Sequence, residues 1–180
     1  MTTNPAWRVT TARLRLEPVS WADRDDLVAL KTDPRAFAMM LGGVRTAEQA
    51  TAELAEEIAA WGAQGFGIWT IRGQSTNAFL GITGLADRPD GRGIALRFAL
   101  WPEVRGAGLA REAASAALRY GHDRISLPRI IAVARADNFA SRTVLGAIGM
   151  TESDSFLRNG VQMLVYESVG PRTILGKDQP

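Results

Sequence analysis

Three strand patterns separated by short turns occupy the middle of this 180-residue chain. They cover residues 66–72, 78–86 and 93–101, and Gly, Pro, Asn and Asp are frequent in the two turns between them. Strands joined by such short turns pair with their neighbours in sequence, so the segment predicts an antiparallel meander. The fold must therefore be built around a sheet.

Strand and helix patterns alternate on both sides of this meander. Strands are predicted at 13–19, 129–135, 150–158 and 161–169, the last two joined by the hairpin signal Asn159-Gly160. Helices are predicted at 22–40 with a break near Asp33-Pro34, from the Thr46 capping box to about Trp61, from Leu109 to Tyr120 with Gly121 as the stop, and from Asn138 to Ile148.

This order predicts a mixed α/β (α+β) fold. The sheet has seven mostly antiparallel strands flanked by about four helices, and the strands at 93–101 and 129–135 are parallel neighbours. We expect a single domain over 1–180, with its core at about 10–169 and a flexible tail at 170–180.

Composition excludes several kinds of chemistry. The chain has no Cys and a single histidine, His122, so zinc fingers and His-rich metal sites are ruled out. The sequence has no apolar run long enough to span a membrane and no dense basic run typical of nucleic-acid binding. We expect a cytoplasmic protein with neither a membrane nor a nucleic-acid partner. Residues 91–180 carry 12 Lys+Arg against 8 Asp+Glu, which suits a polyanionic small molecule.

A glycine-containing loop, residues 101–110, lies between a predicted strand and a predicted helix. The first amides of a helix have no partners within it, and the helix dipole favours negative charge there. Gly106 and Gly108 let the backbone approach phosphate oxygens closely. A dinucleotide fingerprint would need glycine where Arg111 stands, and no Gly-Lys-Ser/Thr follows. A phosphate-binding loop and a simple strand-to-helix turn remain open from these residues alone.

The wider sequence around this loop resembles the GNAT acetyltransferase superfamily. Arg105, Gly108 and Ala110 match the three fixed positions of its acetyl-CoA pyrophosphate signature. A second block, residues 136–141 with Val144-Leu145 and Gly149-Met150, is similar to the branch of ribosomal-protein N-terminal (Rim-type) acetyltransferases. The resemblance covers roughly residues 10–169.

The resemblance implies that the chain binds acetyl-CoA as co-substrate, without a metal. The strand at 94–101 should splay from the strand at 129–135 and admit the pantetheine arm. Ser141 would lie near the sulfur as the proton donor to the thiolate. The implied cofactor-binding residues are Phe98, Ala99, Leu100, Arg105, Gly106, Ala107, Gly108, Leu109, Ala110, Asn138, Ser141 and Arg142. Asn138 is also suited to be a helix N-cap, and Arg142 to be an exposed helix charge.

The resemblance also implies acetyl transfer to a primary amine by direct attack in a ternary complex. Many relatives have a Glu that acts as the general base, but Ala95 stands at that position here, and Arg97 replaces a small residue. The general base therefore stays unknown. Presenting a neutral amine at pH 7 costs about 1 kcal/mol for an α-amine but about 4.6 kcal/mol for a lysine. We therefore expect a protein or peptide N-terminal acceptor. A small-molecule amine (polyamine or aminoglycoside), a silent acyl-CoA-binding module and a homodimer all remain open.

Overall fold

The computed structural model describes residues 4–170. Within them one sheet has eight strands in the order β1-β2-β3-β4-β5-β6-β8-β7, and every neighbouring pair is antiparallel except β5 and β6. The strands are β1 (Val9–Thr10), β2 (Leu14–Pro18), β3 (Ile68–Gly73), β4 (Phe79–Asp87), β5 (Ile94–Leu100), β6 (Arg129–Arg135), β7 (Thr151–Arg158) and β8 (Val161–Val169).

Five α-helices connect these strands. They are α1 (Arg24–Thr32), α2 (Pro34–Phe37), α3 (Ala47–Gln64), α4 (Leu109–Arg119) and α5 (Phe139–Ala147). The predicted break lies between α1 and α2, where Asp33 is extended before Pro34. The predicted capping box is present at α3, since Thr46 and Gln49 bond each other's backbone N–H.

The predicted mixed sheet is confirmed, including the meander and the parallel pair. β3, β4 and β5 form an antiparallel meander, and β5 lies parallel to β6. Asn159 and Gly160 both have positive φ, 49° and 77°, as a type I′ hairpin turn requires. The last strands therefore pair in the predicted register, with Arg158 opposite Val161.

Three details of the prediction were wrong. The described sheet has eight strands rather than seven, because Val9–Thr10 adds a short edge strand, whereas the described helices number five because the predicted break divides the first helical region into α1 and α2. Of the two glycines that predict the end of α3, Gly62 lies inside the helix, and Gly65 supplies the stop through its left-handed conformation (φ 73°). Gly121 does not end the helical segment, which continues as a π-helical turn over Tyr120–Arg124. The predicted tail at 171–180 lies outside the described residues.

Helices cover both faces of the sheet. On one face, a small cavity is enclosed between α1–α3 and the β-strand residues Ile68, Ile82 and Arg97. On the other face, the segment after α4 lies so close to Leu85 and Ile130 that a Cβ on Gly121 would be 2.7 and 2.6 Å from their methyl groups. The helices α1–α3 therefore form one wall of any site built on the Arg97 face of the sheet.

Aromatic side chains fix the packing where α3, β3 and the end of α4 meet. The Trp69 ring lies 4.8 Å from the Trp61 ring and 5.0 Å from the Tyr120 ring, both in edge-on geometry. The Tyr120 hydroxyl donates to the Gly65 carbonyl at 2.8 Å. These residues belong to the core, whereas Trp21 is exposed.

Candidate active site

A cleft opens where β5 and β6 separate. The two strands share one ladder pair, Ala95 with Ile131, and diverge beyond it. The pairing of β5 with β4 stays in register throughout, so the splay occurs without a bulge in β5. The cleft is lined by Met39, Met40, Leu41, Arg88, Ala95, Leu96, Arg97, Phe98, Ala132, Val133, Ala134, Asn138, Ser141 and Leu145. The predicted splay is thus present, and it brings Phe98, Asn138 and Ser141 to one cavity.

The predicted pyrophosphate loop leads from β5 to the first turn of α4. Gly106 and Gly108 have φ of 88° and 76°, conformations that side chains other than glycine rarely adopt, and Gly108 is the N-cap of α4. No described atom lies within 4 Å of a Cβ built on Gly106. The amides at the start of α4, from Leu109 onward, therefore meet an open approach for an anion.

Arg105, by contrast, points back into the protein. Its guanidinium donates to the Leu100 carbonyl at 3.0 and 3.2 Å and to the Arg35 carbonyl at 3.1 Å. The side chain thereby fixes the end of β5 against the loop. The Leu100 carbonyl, one of the predicted contacts for the pantetheine arm, is occupied by this internal bond.

A carboxylate on the first turn of α4 ties the loop to β2. Glu112 accepts from the Thr11 hydroxyl at 2.6 Å, from the Arg13 backbone N–H at 2.9 Å and from the Arg13 Nε at 2.7 Å. Arg13 also donates to the Ala107 carbonyl at 2.8 Å. Glu112 therefore braces the loop and is not free to act as a base.

Glu112→Gln should reduce stability above pH 5 by about 1 kcal/mol, because it weakens charge-assisted hydrogen bonds. Burial alone would raise the pKa of Glu112, but the bonds from Thr11 and Arg13 outweigh it and lower the pKa below 4.5. The stabilisation is therefore complete above the unfolded pKa and is lost as pH falls through the folded one. Urea unfolding from pH 3 to 7 tests this, and a deficit that did not shrink in acid would contradict it.

The three predicted site residues of α5 differ in how they are held. The Asn138 side chain caps α5 by accepting from the Ser141 N–H at 3.2 Å, and both residues line the cleft. Arg142 donates to the Ala136 carbonyl at 2.8 Å and to the Tyr166 hydroxyl at 3.3 Å. Its guanidinium is thus bound within the protein and is not a freely solvated helix charge.

With Ala95 in place of the family's Glu, the sequence offers four other carboxylates as candidate bases: Asp87, Glu103, Asp137 and Glu167. Glu103 is bound by Arg35, Asp137 by Arg135 and Glu167 by Arg129, each at 2.7 or 2.8 Å. Asp87 lies at the end of β4 and lines a second, wider cleft. That cleft adjoins the first, since Leu41, Arg88 and Arg97 line both. We call it the second cleft.

The sequence did not predict a partly buried ionic cluster beside the second cleft, formed by Lys31, Glu53 and Glu57. Lys31 is buried, and its Nζ donates to Glu53 at 3.0 Å and to Glu57 at 2.7 Å. The second oxygen of Glu57 is buried without a hydrogen-bond partner in the described chain. Burial raises the pKa of Glu57, and the charge of Lys31 opposes that rise. The sequence did contain a signal for this cluster. Lys31 lies on the apolar face of α1, and Glu53 and Glu57 are four residues apart on α3.

The remaining candidates lie elsewhere. His122 is held by the Leu127 carbonyl at 2.7 Å and the Ser168 hydroxyl at 2.9 Å, so it is a structural residue. Residues 4–170 contain no cluster of three or more His, Cys, Asp or Glu placed to hold a metal. The described helices are all too short or too polar to cross a membrane.

Comparisons with known proteins agree on one family. Residues 13–151 match the family model described as the acetyltransferase (GNAT) domain. The FsC-acetyl coenzyme A-N(2)-transacetylase of Aspergillus fumigatus is 28% identical over 160 residues, covering 81% of this chain and 66% of that protein. The chain therefore spans just under two thirds of that relative's length.

Solved structures give the same fold. An acetyltransferase from Agrobacterium tumefaciens superposes with a TM-score of 0.80 at 25% identity, covering 93% of this chain and 96% of that one. RimL, a ribosomal L7/L12 alpha-N-protein acetyltransferase in complex with coenzyme A, superposes with a TM-score of 0.74 at 18% identity, covering 90% and 97%. At that identity the likeness to RimL shows the fold alone.

Proposed function

The chain belongs to the GNAT acetyltransferase family, and from that premise we propose that it transfers the acetyl group of acetyl-CoA to an α-amine, with a peptide or protein N-terminus as acceptor. The helix start at Gly108, with free space beside the preceding Gly106, is the observation that carries the donor half of this proposal. The names of relatives support the acceptor half: one acts at an N(2) position and another on a protein α-amine.

In the proposed mechanism the pyrophosphate binds the amides of residues 105–110, and the pantetheine arm enters the splay beside Phe98 and Asn138. A backbone N–H of β5 polarises the thioester carbonyl as the acceptor nitrogen attacks directly. The carbon–nitrogen bond forms as the carbon–sulfur bond breaks, and Ser141 donates a proton to the departing thiolate and is reprotonated by solvent water. No acyl-enzyme intermediate is needed.

The sequence alone offers no residue to accept the proton that the amine releases. Three features support Glu57 as the acceptor of this proton. It lines the second cleft, one of its oxygens has no partner, and its pKa is raised. We propose that water relays the amine proton towards this carboxylate. An α-amine, with a pKa of about 7.8, needs little help to reach its neutral form near pH 7.

An acceptor screen tests the proposal. Release of coenzyme A thiol from acetyl-CoA should occur with peptides that have a free N-terminus and cease when that N-terminus is blocked. Turnover only with polyamines, aminoglycosides or lysine side chains would replace the peptide acceptor by a small-molecule or lysine amine. Binding of acetyl-CoA without turnover of any amine would support a silent acyl-CoA-binding module.

The proposal includes the cellular setting. We place the protein in the cytoplasm as a single domain over residues 1–180 and as a possible homodimer, with no nucleic-acid partner. The excess of Lys+Arg over Asp+Glu in the second half serves the polyanionic cofactor rather than a nucleic acid. Size-exclusion chromatography with light scattering tests the dimer.

A further inference from the structure

Arg97 occupies the boundary between the two clefts. It lies on β5, the strand that forms one wall of the cleft between β5 and β6, and it also lines the second cleft. In the sheet register it pairs with Gly84, which pairs in turn with Ile68. This row of the sheet faces α1–α3, and the small cavity there is bounded by Arg97, Lys31 and Glu57 among others.

The Arg97 guanidinium lacks the partners that its neighbours have. In the second cleft, Arg45 donates to Glu53, and Arg88 binds Asp90 through both Nε and Nη2. Within residues 4–170, the side chain of Arg97 makes neither a hydrogen bond nor an ion pair, although it is partly buried. Burial lowers the pKa of Arg97, and the more distant charge of Glu57 opposes this only in part. The guanidinium nitrogens of Arg97 are not fully buried, so an anion that enters the cleft reaches them and forms charge-assisted hydrogen bonds.

The charged groups nearest to Arg97 are paired with one another. Lys31 binds Glu53 and Glu57, and Arg45 binds Glu53. Glu56 and Asp87 also line this cleft, and within residues 4–170 none of these carboxylates lies within ion-pair distance of Arg97. Arg97 therefore has no ion-pair partner of its own, and it also lines the cleft between β5 and β6 where the thioester is proposed to lie.

We propose that Arg97 binds a carboxylate of the acceptor, so that the preferred substrates carry a carboxylate close to the amine that is acetylated. This inference rests on the proposed function and narrows its substrate class. Two sources share this chemistry: an acidic side chain on the first residue of a peptide, and the α-carboxylate of a free amino acid, which would replace the proposed peptide acceptor by a small molecule. A guanidinium fork suits either, because it bonds a carboxylate through two parallel N–H groups.

Matched acceptor pairs that differ by a single carboxylate test this. One arm compares Asp-Ala-Ala amide with Asn-Ala-Ala amide, and the other compares free alanine with alaninamide. The kcat/KM of the wild type should favour the carboxylate member of one pair at least tenfold. The pair that shows the preference identifies the source of the carboxylate.

Variants of Arg97 show whether this residue carries the preference. Arg97→Met should reduce the ratio within the preferred pair to about one by raising the KM of the acid more than the KM of the amide. Arg97→Lys should retain part of the preference. Arg119→Met, which removes the same charge from the exposed end of α4, should leave the ratio unchanged.

Each outcome has a distinct meaning. Equal turnover of acid and amide by the wild type in both arms overturns the inference and leaves the proposed function standing. A preference that survives in a folded Arg97→Met, verified by circular dichroism, also overturns it. If Arg97→Met does not fold, the wild-type ratio and Arg97→Lys decide. Failure to acetylate any amine would instead refute the proposed function itself.

Discussion

Gly108→Asp is expected to weaken acetyl-CoA binding more than any other single change in the loop. The carboxylate would stand at the N-cap of α4, where the pyrophosphate is proposed to bind, and the two anions would repel. Gly108 also has φ of 76°, so any side chain adds backbone strain. We expect Kd, measured by isothermal titration, to rise by about 30- to 100-fold, equivalent to about 2–3 kcal/mol.

A matched variant separates electrostatic repulsion from strain. Gly160, in the hairpin between β7 and β8, has φ of 77° and, like Gly108, enough room for a Cβ. Gly160→Asp therefore introduces the same residue in the same conformation away from the loop. It should lose similar stability and bind acetyl-CoA like the wild type. Unchanged affinity in Gly108→Asp would refute the assignment of the loop.

Lys31→Met should produce the largest loss of stability among the substitutions considered. The ammonium group is buried and neutralises Glu53 and Glu57, so its removal leaves carboxylates facing each other in a partly desolvated place. Breaking a buried pair in this way costs about 3–5 kcal/mol. For a chain of this size, the melting temperature should fall by about 10 °C in differential scanning calorimetry.

The double variant Lys31→Met, Glu57→Gln tests whether charge is the cause. Removing one carboxylate should recover part of the lost stability, giving a coupling energy between the two positions. Arg24→Met, which breaks an exposed pair with Asp25, is the control and should change little. Additive losses in the double variant would show that Lys31 acts through packing rather than through charge.

Much of the fold could be predicted because its signals are local. The Thr46 capping box, the Asn159-Gly160 turn and the break before Pro34 each depend on residues adjacent in sequence. The errors also have local causes. Gly62 and Gly121 both suggest helix ends. Each lies inside a helical segment instead, because tertiary packing stabilises the helical conformation on both sides of the glycine.

The acceptor side could not be predicted because its residues are distant in sequence. Lys31, Glu57 and Arg97 come from two helices and a strand, and the pattern of none of these elements indicates the other two. A charged residue inside a strand or on an apolar helix face indicates a buried polar contact, but the sequence pattern does not identify the residue that it contacts. The donor side differs, since Arg105, Gly108 and Ala110 lie within six consecutive residues.

The most direct test of the account is a crystal structure of the protein soaked with acetyl-CoA. We predict pyrophosphate oxygens within hydrogen-bond distance of the backbone amides between Arg105 and Ala110. The thioester should lie in the splay between β5 and β6, beside Phe98 and Ser141. A pyrophosphate bound elsewhere, or a thioester outside the splay, would contradict the assignment of this site.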